Sequence, residues 1–419
     1  MRKYDSYKKS TFEWMEEIPS HWILTKNRFG FQKCSNGINE SDDTPVLSLT
    51  TKGVKVKTNL SFGKSTESYI GHQLVEKGDI VFTPRDFDQT PILSDVSNYF
   101  GCISNLYIVD KTKEGVLNHF VNYYWYGLKY SVDYFKNFSH GMRYSFNRFQ
   151  FDEIPLILPP LSEQTQIVSY LDRKTEGIDK LIQTKVRKIE LLKEYRTSII
   201  SKVVTKGLNP NVEMKDSGVE WIGEIPSHWE IKRLKYFCEM VNEKGIPDEG
   251  EIKISPENVE NNSGVCLNLY SEYSGEGVKF TIEDILLNKL RLYLKKFLFT
   301  EYEGYSMGEM IVLRIISGVK RYYFLSLFHQ GLIDELDNQS TGVKLPRVSP
   351  EVILNTKFPI PPPSEQTQIV SYLDEQTRLI DKNIQTEERK IELLKEFRQS
   401  LISEVVTGKI KVCNDEEVH

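Results

Sequence analysis

The most regular hydrophobic pattern in the chain occurs twice. Apolar side chains fall at Leu171, Ile178, Ile182, Ile189, Leu192, Ile199 and Val203, spaced by three, four or seven, with gaps at Thr175 and Lys185. The same pattern returns at Leu373, Ile380, Ile384, Ile391, Leu394, Leu401 and Val405. A heptad seam of this kind predicts a long helix that needs a partner helix to cover it. The segments 162–205 and 364–407 align without a gap, are identical at 33 of 44 positions and contain no proline. At 1.5 Å per residue each predicts a rod of roughly 65 Å. Ser162 and Ser364, just after proline runs, are the expected N-caps. One rod alone leaves its seam wet, whereas two in one chain bury each other's.

Elsewhere the pattern is that of short strands and turns. β-Branched runs at residues 45–50, 78–83 and 103–109 lie between Gly, Asn and Asp clusters and predict strands. Residues 119–130 predict an aromatic-rich helix, and 136–151 interleave basic and aromatic side chains. That mixture suits a surface meeting phosphates and bases, although a core strand with solvated charges gives the same pattern. In residues 284–296, Leu290, Leu292 and Leu294 alternate with Lys289, Arg291, Tyr293 and Lys295. Strand periodicity puts the leucines inside and a basic row outside, either as a nucleic-acid surface or as a lysine-protected edge.

A second repeat precedes each rod. Glu17-Ile18-Pro19-Ser20-His21-Trp22 returns as Glu224-Ile225-Pro226-Ser227-His228-Trp229. The chain therefore reads as head, body, rod, then head, body, rod. The expected division is 1–160, 161–208, 209–363 and 364–412, with a tail at 413–419. The bodies scarcely match. Like rods and unlike bodies predict one repeated partner and two different targets.

Composition narrows the class. With 419 residues, 39% hydrophobic and 27% charged, the chain is globular and large enough for two or three domains. No apolar run reaches the roughly 18 residues of a membrane span, and the first residues carry no apolar core for a secretory signal. Five scattered cysteines without a CxxC pair read as reduced thiols of a cytoplasmic protein. The net charge of −5 divides into +1 for residues 1–160, +4 for 161–208, −6 for 209–363 and −4 for 364–419. That balance predicts weak phosphate binding by the isolated chain.

Catalytic motifs are missing. No phosphate loop, GxGxxG, HExxH, GxSxG or base-flipping Asn/Asp-Pro-Pro-aromatic motif is present. His21 has no ligand-spaced neighbour for a metal, and the carboxylates of residues 247–253 lie in one turn-like segment.

The head DSGVEWIGEIPSHWE, the segments PPLSEQTQIVSYLD and PPPSEQTQIVSYLD, and the rods KIELLKEYR and KIELLKEFR resemble the specificity subunits of type I restriction–modification systems. The first head departs from that pattern at residues 9–16. The resemblance implies an α+β protein in which two target-recognition domains are separated by two long helices. These pair as an antiparallel coiled coil with pseudo-twofold symmetry. It implies that each domain reads half of a split, asymmetric double-stranded DNA sequence, the gap being set by rod length. It further implies two docked adenine-N6 methyltransferase subunits, and restriction subunits beyond them. S-adenosylmethionine, ATP and Mg are then held by those partners and no cofactor by this chain, which is non-catalytic. A methylation-only module, a partner to a fused methylase–nuclease, and a coiled-coil scaffold are the rival readings.

The DNA-binding candidates are Lys52, Arg85, Arg143, Tyr144 and Arg148 in the first body, and Lys289, Arg291, Lys344 and Arg347 in the second. The docking candidates are identical rod positions off the seam. In the first copy they are Gln164, Gln166, Tyr170, Asp172, Asp179, Lys188, Glu190, Lys193 and Glu194. In the second they are Gln366, Gln368, Tyr372, Asp374, Asp381, Lys390, Glu392, Lys395 and Glu396.

Overall fold

The computed structural model describes residues 2–12, 15–58, 68–85, 92–131, 134–135, 145, 147–340 and 346–412. The two heptad segments are two long helices, α4 (Leu161–Lys206) and α8 (Pro363–Val406). Each begins one residue before its expected capping serine, so Ser162 and Ser364 lie in the first turn and not at the cap. The prolines explain this. Pro160 O accepts from Glu163 N and Gln164 N at 2.9 Å, and Gln164 Nε2 turns back to Pro159 O at 2.9 Å. Gln366 Nε2 repeats that contact on Pro361 O at 2.9 Å, so a glutamine two residues after each serine ties down the helix start.

The chain divides into two compact units, one of residues 1–185 with 389–419 and one of residues 186–388. The boundary cuts through both long helices. The first unit therefore joins the first body to the N-terminal part of α4 and the C-terminal part of α8. Its shorter helices are α1 (Asn27–Gly30), α2 (Asn118–Ser131) and α3 (Arg148–Asp152). Its central sheet is antiparallel, in the order Phe31–Lys33, Ile108–Thr112, Ile80–Phe82, Ser94–Val96. Trp22, Phe31, Phe82, Trp125 and Phe151 form one core with Ile167, Leu171 and Ile178 of α4 and Leu401, Ile402 and Val405 of α8. Each such side chain contributes about 1.5–3 kcal/mol when fully buried. The helix stretches are antiparallel, and Arg398 Nε meets Asp179 Oδ1 at 3.2 Å.

The second unit holds the rest of α4, the second body and the N-terminal part of α8. Its shorter helices are α5 (Lys320–Ser326), α6 (Gln330–Asn338) and α7 (Pro350–Asn355). Its central sheet, Cys238–Val241, Met310–Ile315, Ile285–Asn288, Phe297–Phe299, repeats the order and antiparallel sense of the first. A further four-stranded sheet is added in this unit only among the described residues. Arg196 Nε meets Asp381 Oδ1 at 3.3 Å, and Lys188 Nζ meets the buried Glu387 at 2.9 Å. These pairs run in opposite directions along the two helices. Arg196 and Arg398 also interrupt the apolar seam, a third gap beside Thr175 and Lys185.

The heads dock alike within their own units. Trp22 and Trp229 are fully buried, and the turn before each is closed by the indole residue's amide on Pro19 O and Pro226 O. Trp22 Nε1 and His21 Nε2 meet the Glu163 carboxylate at 3.1 and 2.9 Å. Trp229 Nε1 and His228 Nε2 meet Glu365 at 3.0 and 2.6 Å. His21 thus serves a helix start. Among the described residues no cluster of three metal-ligating side chains occurs, and Glu251 simply closes a turn on Asp248 N at 2.7 Å.

Two expected strands are corrected. Residues 103–109 are the end of Gly101–Ile103, a turn, and the start of Ile108–Thr112, because Tyr107 N bonds back to Ser104 O at 3.1 Å. The strand expected over 284–296 stops at Asn288. Arg291 and Lys295 then adopt φ of +53° and +47°, left-handed values that destroy two-residue alternation, around a short turn at Leu292–Leu294. Lys295 consequently points inward, not into an outer basic row, and is 3% exposed. The aromatic helix expected over 119–130 is α2. Most of 136–151 lies outside the described residues, and its last part is α3, capped reciprocally by Asn147 and Gln150.

Candidate nucleic-acid interface

In both units the segment after the third sheet strand in sheet order meets the segment before the helix that precedes the rod. In the first unit this is a bridge between Arg85 and Ser145, and in the second between Leu290 and Arg347. Sequence-expected residues are gathered at both.

In the first unit Arg85 and Arg148 line one open cavity of about 1010 Å³, with Lys33, Asn105, Asn147 and Gln150 also on its wall. Arg148 opens α3 and donates to Asp110 at 2.5 Å and Asp152 at 2.9 Å. Asp110 is 1% exposed, and burial raises its pKa against the opposing pull of Arg148. Arg148 is thus anchored on one side and faces the cavity on the other. Arg85 is exposed and has no ion pair among the described residues. Asn105 accepts from Gln73 N at 2.9 Å and donates to Gly71 O at 3.0 Å, while Gln73 Nε2 donates to Ser104 O and Tyr107 O. Lys52 stands apart, at the tip of the hairpin Leu47–Thr50 and Gly53–Val56. Arg143 and Tyr144 lie outside the described residues.

In the second unit Lys289, Arg291 and Arg347 come together. Lys289 Nζ lies 3.4 Å from Glu309, which also accepts from Arg347 Nη2, and Arg291 N donates to Pro346 O at 3.0 Å. Glu309 thereby holds two cations beside the exposed Arg291. Lys344 lies outside the described residues. Beneath this loop Lys295 Nζ donates to Phe328 O at 3.0 Å, and burial lowers its pKa to about 8. The neighbouring His329 is lowered to about 4, by burial first and Lys295 second. Nothing in the residue pattern marked this inward lysine.

Four of the identical rod positions hold the rods to their own bodies. Gln164 is buried, accepting from Leu117 N at 2.8 Å, and Gln366 accepts from Val319 N at 2.8 Å. Asp172 accepts from Tyr123 Oη at 2.7 Å, and Asp374 from Arg321 at 3.1 Å. Asp179, Asp381 and Lys188 are in the ion pairs already described. Glu190 and Glu392 pair with Arg187 and Arg389 on the same helix at 3.0 Å, and Glu194 lies 3.9 Å from Arg187. Gln368, Tyr372, Lys390, Glu396, Lys193 and Lys395 are exposed, while Gln166 and Tyr170 are half-buried. Four apolar residues outside the candidate set are more telling. Leu191 and Leu393 are 48% exposed, Tyr195 52% and Phe397 49%, all off the seam and in matching places. Their signal was legible as apolar side chains recurring where a two-helix seam has no use for them.

The family model for the type I restriction modification DNA specificity domain matches residues 33–191 and 226–396. The chain belongs to this specificity family. It is 27% identical over 311 residues to the type I restriction enzyme MjaVIII specificity subunit of Methanocaldococcus jannaschii, covering 70% of this chain and 71% of that one. The putative MjaX specificity subunit of the same organism is 24% identical over 282 residues, covering 64% and 62%. Among solved structures, a chain of a type I R-M system studied for its assembly and conformational transition superposes with a TM-score of 0.67 at 14% identity, covering 94% of this chain and 99% of that one. The HsdS subunit from Thermoanaerobacter tengcongensis gives 0.50 at 14% identity over 94% and 98%. As a specificity subunit the chain is a non-catalytic member of a type I restriction–modification system, with two target-recognition domains. No helix among its described residues is long and apolar enough to cross a membrane.

Proposed function

We propose that each target-recognition domain reads one half of a split, asymmetric double-stranded DNA sequence. The helical repeats dock two adenine-N6 methyltransferase subunits and, through them, restriction subunits. S-adenosylmethionine, ATP and Mg belong to those partners in this reading. The observation that carries it is the contrast inside two matching frames. The Trp–Glu, Gln–amide and Arg–Asp contacts recur residue for residue, while the bridging loops carry Arg85 and Ser145 in one unit and Leu290 and Arg347 in the other. A common frame serves a common partner, and unlike loops serve unlike sequences. An arginine or lysine from such a loop, bidentate on guanine, contributes roughly 1–3 kcal/mol of discrimination. Arg85, Arg148, Arg291 and Arg347 are the best placed of the described candidates, and Arg143, Tyr144 and Lys344 flank the same loops in sequence. The exposed Leu191, Tyr195, Leu393 and Phe397 are the apolar part of the docking surface, with Glu190, Glu194, Glu392 and Glu396 as its polar margin.

The test is an exchange of residues 31–158 for the corresponding body of another family member, read by mapping N6-methyladenine in cells that express the complex. One half of the target should change and the other stay. A change in both halves contradicts independent readers.

A further inference from the structure

The first unit contains a cleft of about 650 Å³ that lies away from the Arg85–Arg148 cavity. It opens between the hairpin tip carrying Lys52, the α2 face carrying Tyr126 and Tyr130, and the paired stretches of α4 and α8. Both acidic side chains on its wall are engaged: Asp95 accepts from Val54 N at 2.8 Å, and Asp179 is paired with Arg398 at 3.2 Å. Arg398 also donates to Tyr126 Oη at 3.0 Å. Lys52 and Lys395 have no ion pair among the described residues, and with Arg398 they set three cations against the two carboxylates, so the wall carries a net charge of +1. In the second unit Arg196 stands where Arg398 does in the first. There the chain's own turn covers the guanidinium, with Asn262 O and Ser263 O accepting at 3.3 and 2.9 Å.

We propose that this cleft grips the sugar–phosphate backbone of the DNA duplex beside the first half-site, with Lys52 and Lys395 each meeting one phosphate. The proposal rests on the reading that the first domain binds DNA. It removes Lys395 from the methyltransferase surface and ties one helix of the rod pair to the nucleic acid. Heptad geometry separates the two surfaces. Asp179 and Lys395 lie four residues after seam positions, whereas Leu181 and Phe397 lie directly before them. In an antiparallel pair those positions face opposite flanks. The exposed apolar side chains Leu181, Leu393 and Phe397 therefore lie away from the cleft, whose wall mixes apolar side chains with hydroxyls and a net positive charge. A cationic, hydroxyl-lined cleft suits phosphates, which are bound by charge without reading sequence.

The test compares the full chain with its methyltransferase subunits, unaltered or carrying Lys52→Ala with Lys395→Ala, on a duplex bearing the mapped target. Each phosphate contact adds about 0.9 to the slope of log K against log salt. The double variant should have a slope shallower by about 1.8. Between about 50 and 200 mM salt the unaltered complex should then lose roughly tenfold more affinity than the variant. The methylated sequence should not change, and Lys395→Glu alone should weaken DNA binding while leaving assembly intact. An unchanged slope overturns the proposal. So does weaker binding of the methyltransferase by the double variant without DNA, which assigns the cleft to an acidic protein segment. Failure of the unaltered complex to bind DNA overturns the broader reading instead.

Discussion

Glu163, in the first turn of α4, accepts a hydrogen bond from the indole Nε1 of Trp22 at 3.1 Å. The same carboxylate takes His21 Nε2 and Tyr4 Oη, so one side chain fastens the head to the start of the rod. Glu163→Ala leaves a fully buried indole N–H without an acceptor. The expected cost is about 1–3 kcal/mol of unfolding free energy, measured by urea denaturation. Glu163→Gln keeps an acceptor and should cost less.

Arg196 joins α8 to the second body through Asp381 and through the carbonyls of Asn262 and Ser263. Its side chain is 12% exposed while that of Asp381 is 45% exposed, so most of its worth lies in the carbonyl contacts. Arg196→Ala should lower stability by about 2 kcal/mol, in the range for hydrogen bonds to a charged group. Arg196→Lys, which keeps the charge but loses the fork, should fall between the two in thermal unfolding.

Lys295 supplies a pH dependence. Its folded pKa of about 8 lies below its ordinary value of 10.5, so between those limits the unfolded chain binds more protons. Stability contributed through this residue therefore rises as pH rises from about 8 to 10.5. In Lys295→Met that gain disappears. The stability difference between unaltered protein and variant should shift by an order of 3 kcal/mol in favour of the unaltered protein over this window. Denaturation at pH 7 and pH 10.5 measures it, and a difference that stays constant contradicts the burial of this ammonium.

Leu191→Asp with Leu393→Asp tests the docking surface. Both side chains are half exposed, so the isolated chain should keep its stability within about 0.5 kcal/mol. Assembly with methyltransferase subunits, read by sedimentation, should be lost if these leucines sit in the centre of the contact.

The long helices were legible because heptad spacing is local: Leu171, Ile178 and Ile182 announce their face within three turns. The repeated heads were legible because the same residues return 207 positions later. The strand expected over 284–296 failed because alternation cannot report φ, and left-handed Arg291 and Lys295 keep the alternating letters while discarding the alternating directions. The candidate arginines were found as residue types, but their pairing was not. Arg148 answers to Asp110 and Arg347 to Glu309, each 38 residues distant in the chain.

By itself the sequence determined the twofold plan, the two long helices and the apolar face each must cover. These follow from periodicity and repetition, which any stretch of chain carries within itself. Only the tertiary structure decided that each unit takes part of both helices. It alone placed Arg398 on Asp179 and Arg196 on Asp381, and gave two dissimilar bodies the same central sheet. Those outcomes depend on which surfaces meet across hundreds of residues, and the free energy of such meetings resides in packed shape and paired charge rather than in the order of neighbouring residues.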